Sequence, residues 1–168
     1  VSVFVAFGAN LAGPWGSPAQ AFDAAVTLLE QHGVPVIERS SLWESAPVPR
    51  SEQPWYVNAV VQVDTDLPPP DLLDLLHRIE SVMGRVRSEP NASRVIDLDL
   101  LAYHAHAVGE KGGEGLLLPH PRLHERAFVL FPLQEIAPNW IHPLSGADIP
   151  DMMAALDPSQ EIRCLAAQ

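Results

Sequence analysis

Between Arg94 and Leu101 the chain reads Arg-Val-Ile-Asp-Leu-Asp-Leu-Leu, an apolar run into which two carboxylates are set in alternation. A β-strand turns successive side chains to opposite faces, so residues i and i+2 share a face about 6–7 Å apart. Asp97 and Asp99 therefore share one face, and Ile96, Leu98 and Leu100 fill the other. At an effective dielectric of about 20, two carboxylates about 5 Å apart repel by roughly 3 kcal/mol. Such a pair persists when a cation sits between its members or strong donors surround them. An oxygen-rich site beside arginines points to magnesium carrying a phosphate chain. Taken alone, Asp-x-Asp is weak evidence for this and is better read as a half-exposed edge strand with ordinary solvated acids.

Charge narrows the choice. The net charge of −11 argues against general nucleic-acid binding, which needs a basic face. Yet Arg78, Arg85, Arg87 and Arg94 fall within 17 positions, just ahead of the aspartates. In an acidic chain that local cluster suits a magnesium–nucleotide site, although arginine also suits a helix C-terminus. At 168 residues, one domain spanning 1–168 is expected, with a core of useful size. No apolar run is long enough to span a membrane. Residues 1–7 have no basic flank and read as a first strand, so no membrane association and a cytoplasmic address are expected. Cys164 is the single cysteine, which rules out an internal disulfide and a cysteine zinc site.

The order of elements follows from periodicity. Residues 2–7 alternate as a strand and run into a turn at Gly8-Ala9-Asn10. Ser17-Pro18 pairs a capping hydroxyl with proline at the first helical position. Phe22, Ala25, Val26 and Leu29 then recur at helical spacing, with Gly33 as the stop. Residues 34–43 form a second strand, and 45–50 a proline-broken loop. A third strand covers 56–64. The prolines at 68–70 open a helix from Asp71, striped by Leu72, Leu73, Leu76, Ile79 and Met83 and stopped at Gly84. The polar loop 88–93 leads into the aspartate strand.

Strand, helix, strand, strand, helix, strand is the ferredoxin-like split β-α-β order, an α+β antiparallel sheet with helices packed on it. Its second face is left to hold ligand or be covered by later segments. Those segments, from residue 104 onward, form a C-terminal extension. It contains a short strand at 116–118, a helix over 127–136 and a hairpin loop over 109–115, and its order after Pro138 is not legible.

Several segments, in order, resemble the 6-hydroxymethyl-7,8-dihydropterin pyrophosphokinases of folate biosynthesis. They are Phe7-Gly8-Ala9-Asn10-Leu11, Gln53-Pro54-Trp55-Tyr56-Val57-Asn58, Arg78-Ile79-Glu80 and Gly84-Arg85-Val86-Arg87. Further on stand Arg94-Val95-Ile96-Asp97-Leu98-Asp99, Leu118-Pro119-His120-Pro121, Arg126-Ala127-Phe128-Val129-Leu130 and Pro132-Leu133. The resemblance covers roughly positions 2–138 and displaces the solvated-acid reading of the aspartates.

It implies a ferredoxin-like enzyme that moves the terminal two phosphates of ATP to the hydroxymethyl group of the dihydropterin, releasing AMP. Two Mg2+ ions are implied, on Asp97 and Asp99. Asn58 should hydrogen-bond the pterin edge, with backbone groups of Ser45, Ala46 and Val48 reading the rest. Tyr56 and Phe128 should cover the two faces of the ring; core packing is the alternative for either. Arg85, Arg87, Arg94 and Arg126 are candidates for the phosphate chain, since a guanidinium fork matches phosphate oxygens. Arg85 and Arg94 join the aspartates as catalytic candidates, and Glu80, Leu100 and His120 fall in the implied ATP site. Trp55 should lie at the rim. The substrates are the expected partners, without nucleic acid, and a monomer is expected.

Four features depart from the family pattern, one being Gly115 and Leu117, which stand where some members place basic and hydroxyl residues near the nucleotide. Ser93 replaces a proline before Arg94, no aromatic occupies 88–92, and Glu89 stands where a basic residue is common. They bear on loop closure and rate more than on reaction type. The competing readings are a nucleotide-sugar transferase using the same paired acids, and a ferredoxin-like binding module that has lost turnover. His104 and His106 form a His-x-His without an evident third ligand, so they are read as an exposed hairpin.

Overall fold

The Ser17 hydroxyl accepts from Gln20 N at 3.3 Å while Gln20 Oε1 accepts from Ser17 N at 2.8 Å. This capping box closes the N-terminus of helix α1, Pro18–Gln31. Gly33, at φ +81°, ends it by taking a conformation that few other residues adopt cheaply. The computed structural model describes residues 2–9, 16–46, 55–84, 96–109 and 116–165.

Strand β1, Val3–Ala9, precedes α1 and runs on through Gly8 and Ala9, where a turn was expected. The second expected strand is two strands, β2 at Val36–Arg39 and β3 at Trp43–Ser45. Both pair with β4, Tyr56–Val63. From Arg39 to Trp43 this side takes four steps while β4 takes three, from Val61 to Asn58, so one residue is in excess. Ser40 fills the break: its amide donates to Val60 O and its hydroxyl accepts from Val60 N, each at 2.9 Å.

Helix α2, Pro69–Val82, starts two residues before the expected position, because Pro68 acts as its N-cap and proline is tolerated in a first turn. Its buried stripe includes Leu75 beside Leu72, Leu76 and Ile79, whereas Leu73 is only half-buried. Strand β5, Asp97–Tyr103, follows. Residues 116–118 do not form a strand but contribute one bridge, Val108 to Leu118. Helix α3, Ala127–Ile136, lies where expected. Two elements follow that periodicity did not reveal, α4 at Ile149–Ala154 and β6 at Ile162–Cys164.

The sheet order is β5-β1-β4-β3-β6 with β2 also on β4, and every pairing is antiparallel. Leaving out β6, this is the ferredoxin-like arrangement expected. Both faces are covered. Val3, Val5, Phe7, Val61 and Leu98 pack with α1 and α2 in one core. Phe4, Val60 and Leu101 pack with Leu130 and Leu133 of α3 and Met152 of α4 in the other. Fully burying one such side chain contributes about 1.5–3 kcal/mol, so the extension is part of the fold. Among the described residues, Gly8 and the aspartates lie half-exposed toward one end of the second face.

Candidate active site

The strand register sets out the site. Gly8 of β1 pairs with Asp97 of β5 on one side and Asn58 of β4 on the other, while Ala6 pairs with Asp99. Directly paired residues share a face, so Asp97, Gly8 and Asn58 form one row across three strands. A Cβ on Gly8 would lie 3.3 Å from Asn58 Oδ1. The missing side chain thus leaves an open floor between the carboxylates and the amide.

Each end of that row is held from below or beside. Glu80 of α2 is buried, and its Oε2 accepts from Leu98 N, between the two aspartates, at 2.9 Å. Strand β5 is the outer strand on that side. A buried carboxylate on its main chain satisfies an edge donor that water would otherwise claim. At the other end Asn58 is buried and its Nδ2 donates to Ser45 Oγ at 2.8 Å. That bond orients Oδ1 as the free-facing acceptor over Gly8. Beside it, Ala46 N donates to Glu161 O at 3.1 Å.

The cations come from the segment before α3. Arg126 is the N-cap residue of α3, and its guanidinium lies 5.3 Å from the Phe128 ring centroid. Burial lowers its pKa, while Asp99, and more weakly Glu125 and Asp97, act to hold the charge; Arg122 acts against it. His120 N donates to Leu101 O of β5 at 2.8 Å, and Nδ1 accepts from Arg122 N at 3.2 Å. With Nδ1 an acceptor, the ring carries its proton on Nε2. Burial first, then Arg126 and Arg122, lower the His120 pKa; Asp99 opposes them. His120 is therefore a neutral donor within the field of Asp99 and Arg126.

The structure thus brings together Asp97, Asp99, Arg126, His120, Asn58 and Ser45 on one end of the second face. Tyr56 shares that face by alternation with Asn58, and Phe128 projects from α3; both are half-buried. Glu80 and Leu100 point away: Glu80 is inside against Leu98, and the Leu100 side chain is in the core with α1 and α2. Val48, Arg85, Arg87 and Arg94, with the 88–93 loop, lie outside the described residues. Arg122 was not anticipated. Nor was Arg163, which stacks 4.7 Å from the Trp55 ring centroid and bonds Glu44 at 2.7 Å. No motif marks a lone arginine near a chain end, so only tertiary pairing reveals it.

Paired carboxylates facing an arginine and a neutral imidazole, on a ferredoxin-like sheet, are the equipment of a metal-dependent phosphoryl-transfer enzyme. Within that class, the sequence profile of the 7,8-dihydro-6-hydroxymethylpterin-pyrophosphokinase family matches residues 4–138, and the chain belongs to this family. It is 39% identical over 157 residues to the 2-amino-4-hydroxy-6-hydroxymethyldihydropteridine pyrophosphokinase of Methylorubrum extorquens, covering 93% of this chain and 94% of that one. The Pseudomonas aeruginosa protein of the same name is 40% identical, covering 91% and 90%. The folic acid synthesis protein of Pneumocystis carinii is 36% identical over 88% of this chain, which spans 19% of that longer protein. In fold, a solved HPPK-DHPS structure in complex with substrates superposes with a TM-score of 0.68 at 14% identity, covering 92% of this chain and 43% of that one.

Proposed function

We propose that this chain transfers the terminal two phosphates of ATP, as one unit, to the hydroxymethyl oxygen of 6-hydroxymethyl-7,8-dihydropterin. The new bond forms between that oxygen and the β-phosphorus, and the bond between the β-phosphorus and the oxygen bridging to the α-phosphorus breaks, releasing AMP. The observation that carries this reading is the row Asp97–Gly8–Asn58. Adjacent strands lie about 4.8 Å apart, so the row spans about 10 Å from a phosphate-side carboxylate to a pterin-side amide. One acceptor molecule reaches across that width.

Asn58 Oδ1 and the carbonyl of Ala46 accept from the pterin edge, and Tyr56 and Phe128 offer apolar faces to its ring. Arg126 and the Nε2–H of His120 meet phosphate oxygens, where a neutral donor adds a hydrogen bond without a second buried charge. The all-oxygen pair Asp97 and Asp99 fits magnesium, which takes a few protein carboxylates and completes its shell with water and phosphate. When bound, Mg2+ neutralises the polyphosphate so that a neutral alcohol can approach. Two ions, one for each carboxylate, are our reading of the pair. The remaining cations of the phosphate site are assigned to Arg85, Arg87 and Arg94, with the main chain of Leu100 beside the nucleotide.

The protein incubated with Mg-ATP and the dihydropterin should form AMP only when the pterin is present, in equal amount to pyrophosphorylated pterin. Binding of both ligands without AMP would refute the transferase reading.

A further inference from the structure

A cavity of about 520 Å³ lies between residues 107–109 and 117–121 on one side and the 142–155 segment on the other. Val108, Leu118, Leu144 and Met152 give it apolar walls. Asp97, Asp99, Asn58, Tyr56 and Phe128 do not line it; among the described residues, His120, with Leu117 close before it in the chain, is where it borders the candidate active site. Much of the wall, including Leu144, Ala147, Met152 and Ala155, follows residue 138, where the family profile ends.

One ring nitrogen in this wall has no acceptor among the described residues. His142 is 8% exposed, and its Nδ1 accepts from Leu144 N at 3.2 Å and Ser145 N at 3.3 Å. Two N–H donors at Nδ1 exclude a proton there, so the ring is the neutral tautomer with hydrogen on Nε2. Burial, and then His124, lower its pKa in the same sense. The ring meets His124 and Trp140 edge-on, at centroid distances of 6.3 and 5.7 Å. Among the described residues, no hydrogen-bond acceptor reaches Nε2–H. A buried donor left so is costly, and a ligand carbonyl would relieve it.

We propose that this cavity is a second ligand site, for a flat, neutral heteroaromatic molecule that carries a carbonyl acceptor. Its volume falls in the range of small-molecule pockets, about 300–1,000 Å³, and apolar walls with one fixed donor are the usual make-up of such pockets. Neutrality follows from three features. The imidazole has no charge to offer a carboxylate, Asp151 in the wall repels anions, and the apolar lining penalises any ion.

The test uses 2-quinolone, a fused bicyclic lactam, with the whole chain labelled at histidine nitrogens and methionine methyls. Saturable binding is expected, with a shift of the His142 Nε2 resonance and nuclear Overhauser contacts from the probe to the Met152 methyl. Ala155→Trp, at an exposed helix end whose side chain can turn into the cavity, should weaken binding at least tenfold. Asn58→Ala should leave it unchanged. Absence of saturable binding at millimolar probe, or binding that survives a folded Ala155→Trp variant, would overturn the proposal. So would loss of binding in Asn58→Ala, which would place the probe against Asn58 instead. If Ala155→Trp fails to fold, the Met152 contact in the unaltered protein decides the matter.

Discussion

Asp97 and Asp99 lie half-exposed beside a partly buried Arg126, so removing either acid relieves repulsion on the strand while stripping charge from the site. Asp97→Ala and Asp99→Ala should lower kcat by about 10²–10³-fold, the scale of losing one preorganised electrostatic group. Melting temperatures should hardly move. Near-normal turnover in either variant would sink the metal assignment. Gly8 offers a finer test. A methyl there meets Asn58 Oδ1 at 3.3 Å, tighter than ordinary contact, and roofs the floor between acid and amide. Gly8→Ala should raise KM for the pterin by about tenfold, equivalent to about 1.4 kcal/mol, with little change in KM for ATP. Parallel losses for the two substrates would mean the pterin side has been misplaced.

Histidine gives a pH dependence whose sign is fixed by burial. His120 and His142 have pKa values held below 6.5, in each case first by burial, then by Arg126 and by His124 respectively. Unfolding returns them to about 6.5, so below that pH the unfolded chain binds more protons. The stability they support is fully present above about pH 6.5 and is lost as pH falls through that value toward the folded-state pKa values. Thermal melts should therefore drop between about pH 7 and 5. His142→Asn keeps an acceptor for the Leu144 and Ser145 amides but cannot titrate, so its profile should be flatter. An unchanged slope in that variant would remove His142 from the account.

Elements were legible wherever local signals agreed. Helix α1 combines a capping box, an apolar stripe and a terminal glycine, and it lies where these put it. The aspartate strand likewise alternates as expected, with Leu98 and Leu100 buried and the acids half-exposed. The break between β2 and β3 was not legible, because it depends on Ser40 bonding to Val60 across the sheet and on one excess residue. The role of Glu80 was hidden for a related reason. A carboxylate on a helix beside an arginine suggests a ligand contact, and only the tertiary fold shows it turned inward to Leu98 N. Glu80→Ala would leave that amide without its acceptor and open a void between α2 and β5. The expected cost is about 2–4 kcal/mol. Denaturant unfolding measures it, and Glu80→Gln should recover part of the loss, since an amide oxygen can still accept. A destabilisation below about 0.5 kcal/mol would mean the strand edge does not need this support.

At the scale of the whole molecule, the late segments finish what the ferredoxin-like core begins. Helices α3 and α4 pack on the second face, and α3 carries Arg126 and Phe128 to its open end, while no described helix is long and apolar enough to cross a membrane. Strand β6 pairs with β3 and so borders Ser45, which bonds Asn58, and Ala46, which we propose offers its carbonyl to the pterin. Arg163 fastens this edge by bonding Glu44 at 2.7 Å and stacking on Trp55, which leads into β4. All these groups are at least partly exposed, so the ion pair itself is worth only about 0–1 kcal/mol. Its leverage is positional: it ties three strands at the proposed pterin end and none at the proposed phosphate end. Arg163→Ala should shift the melting temperature little, yet raise KM for the pterin several-fold while leaving KM for ATP and kcat near normal. Arg163→Lys keeps the charge but stacks less well on the indole, and should fall between the two. If Arg163→Ala changes stability and leaves pterin KM untouched, β6 is a fastening for the fold alone and plays no part in shaping the pocket.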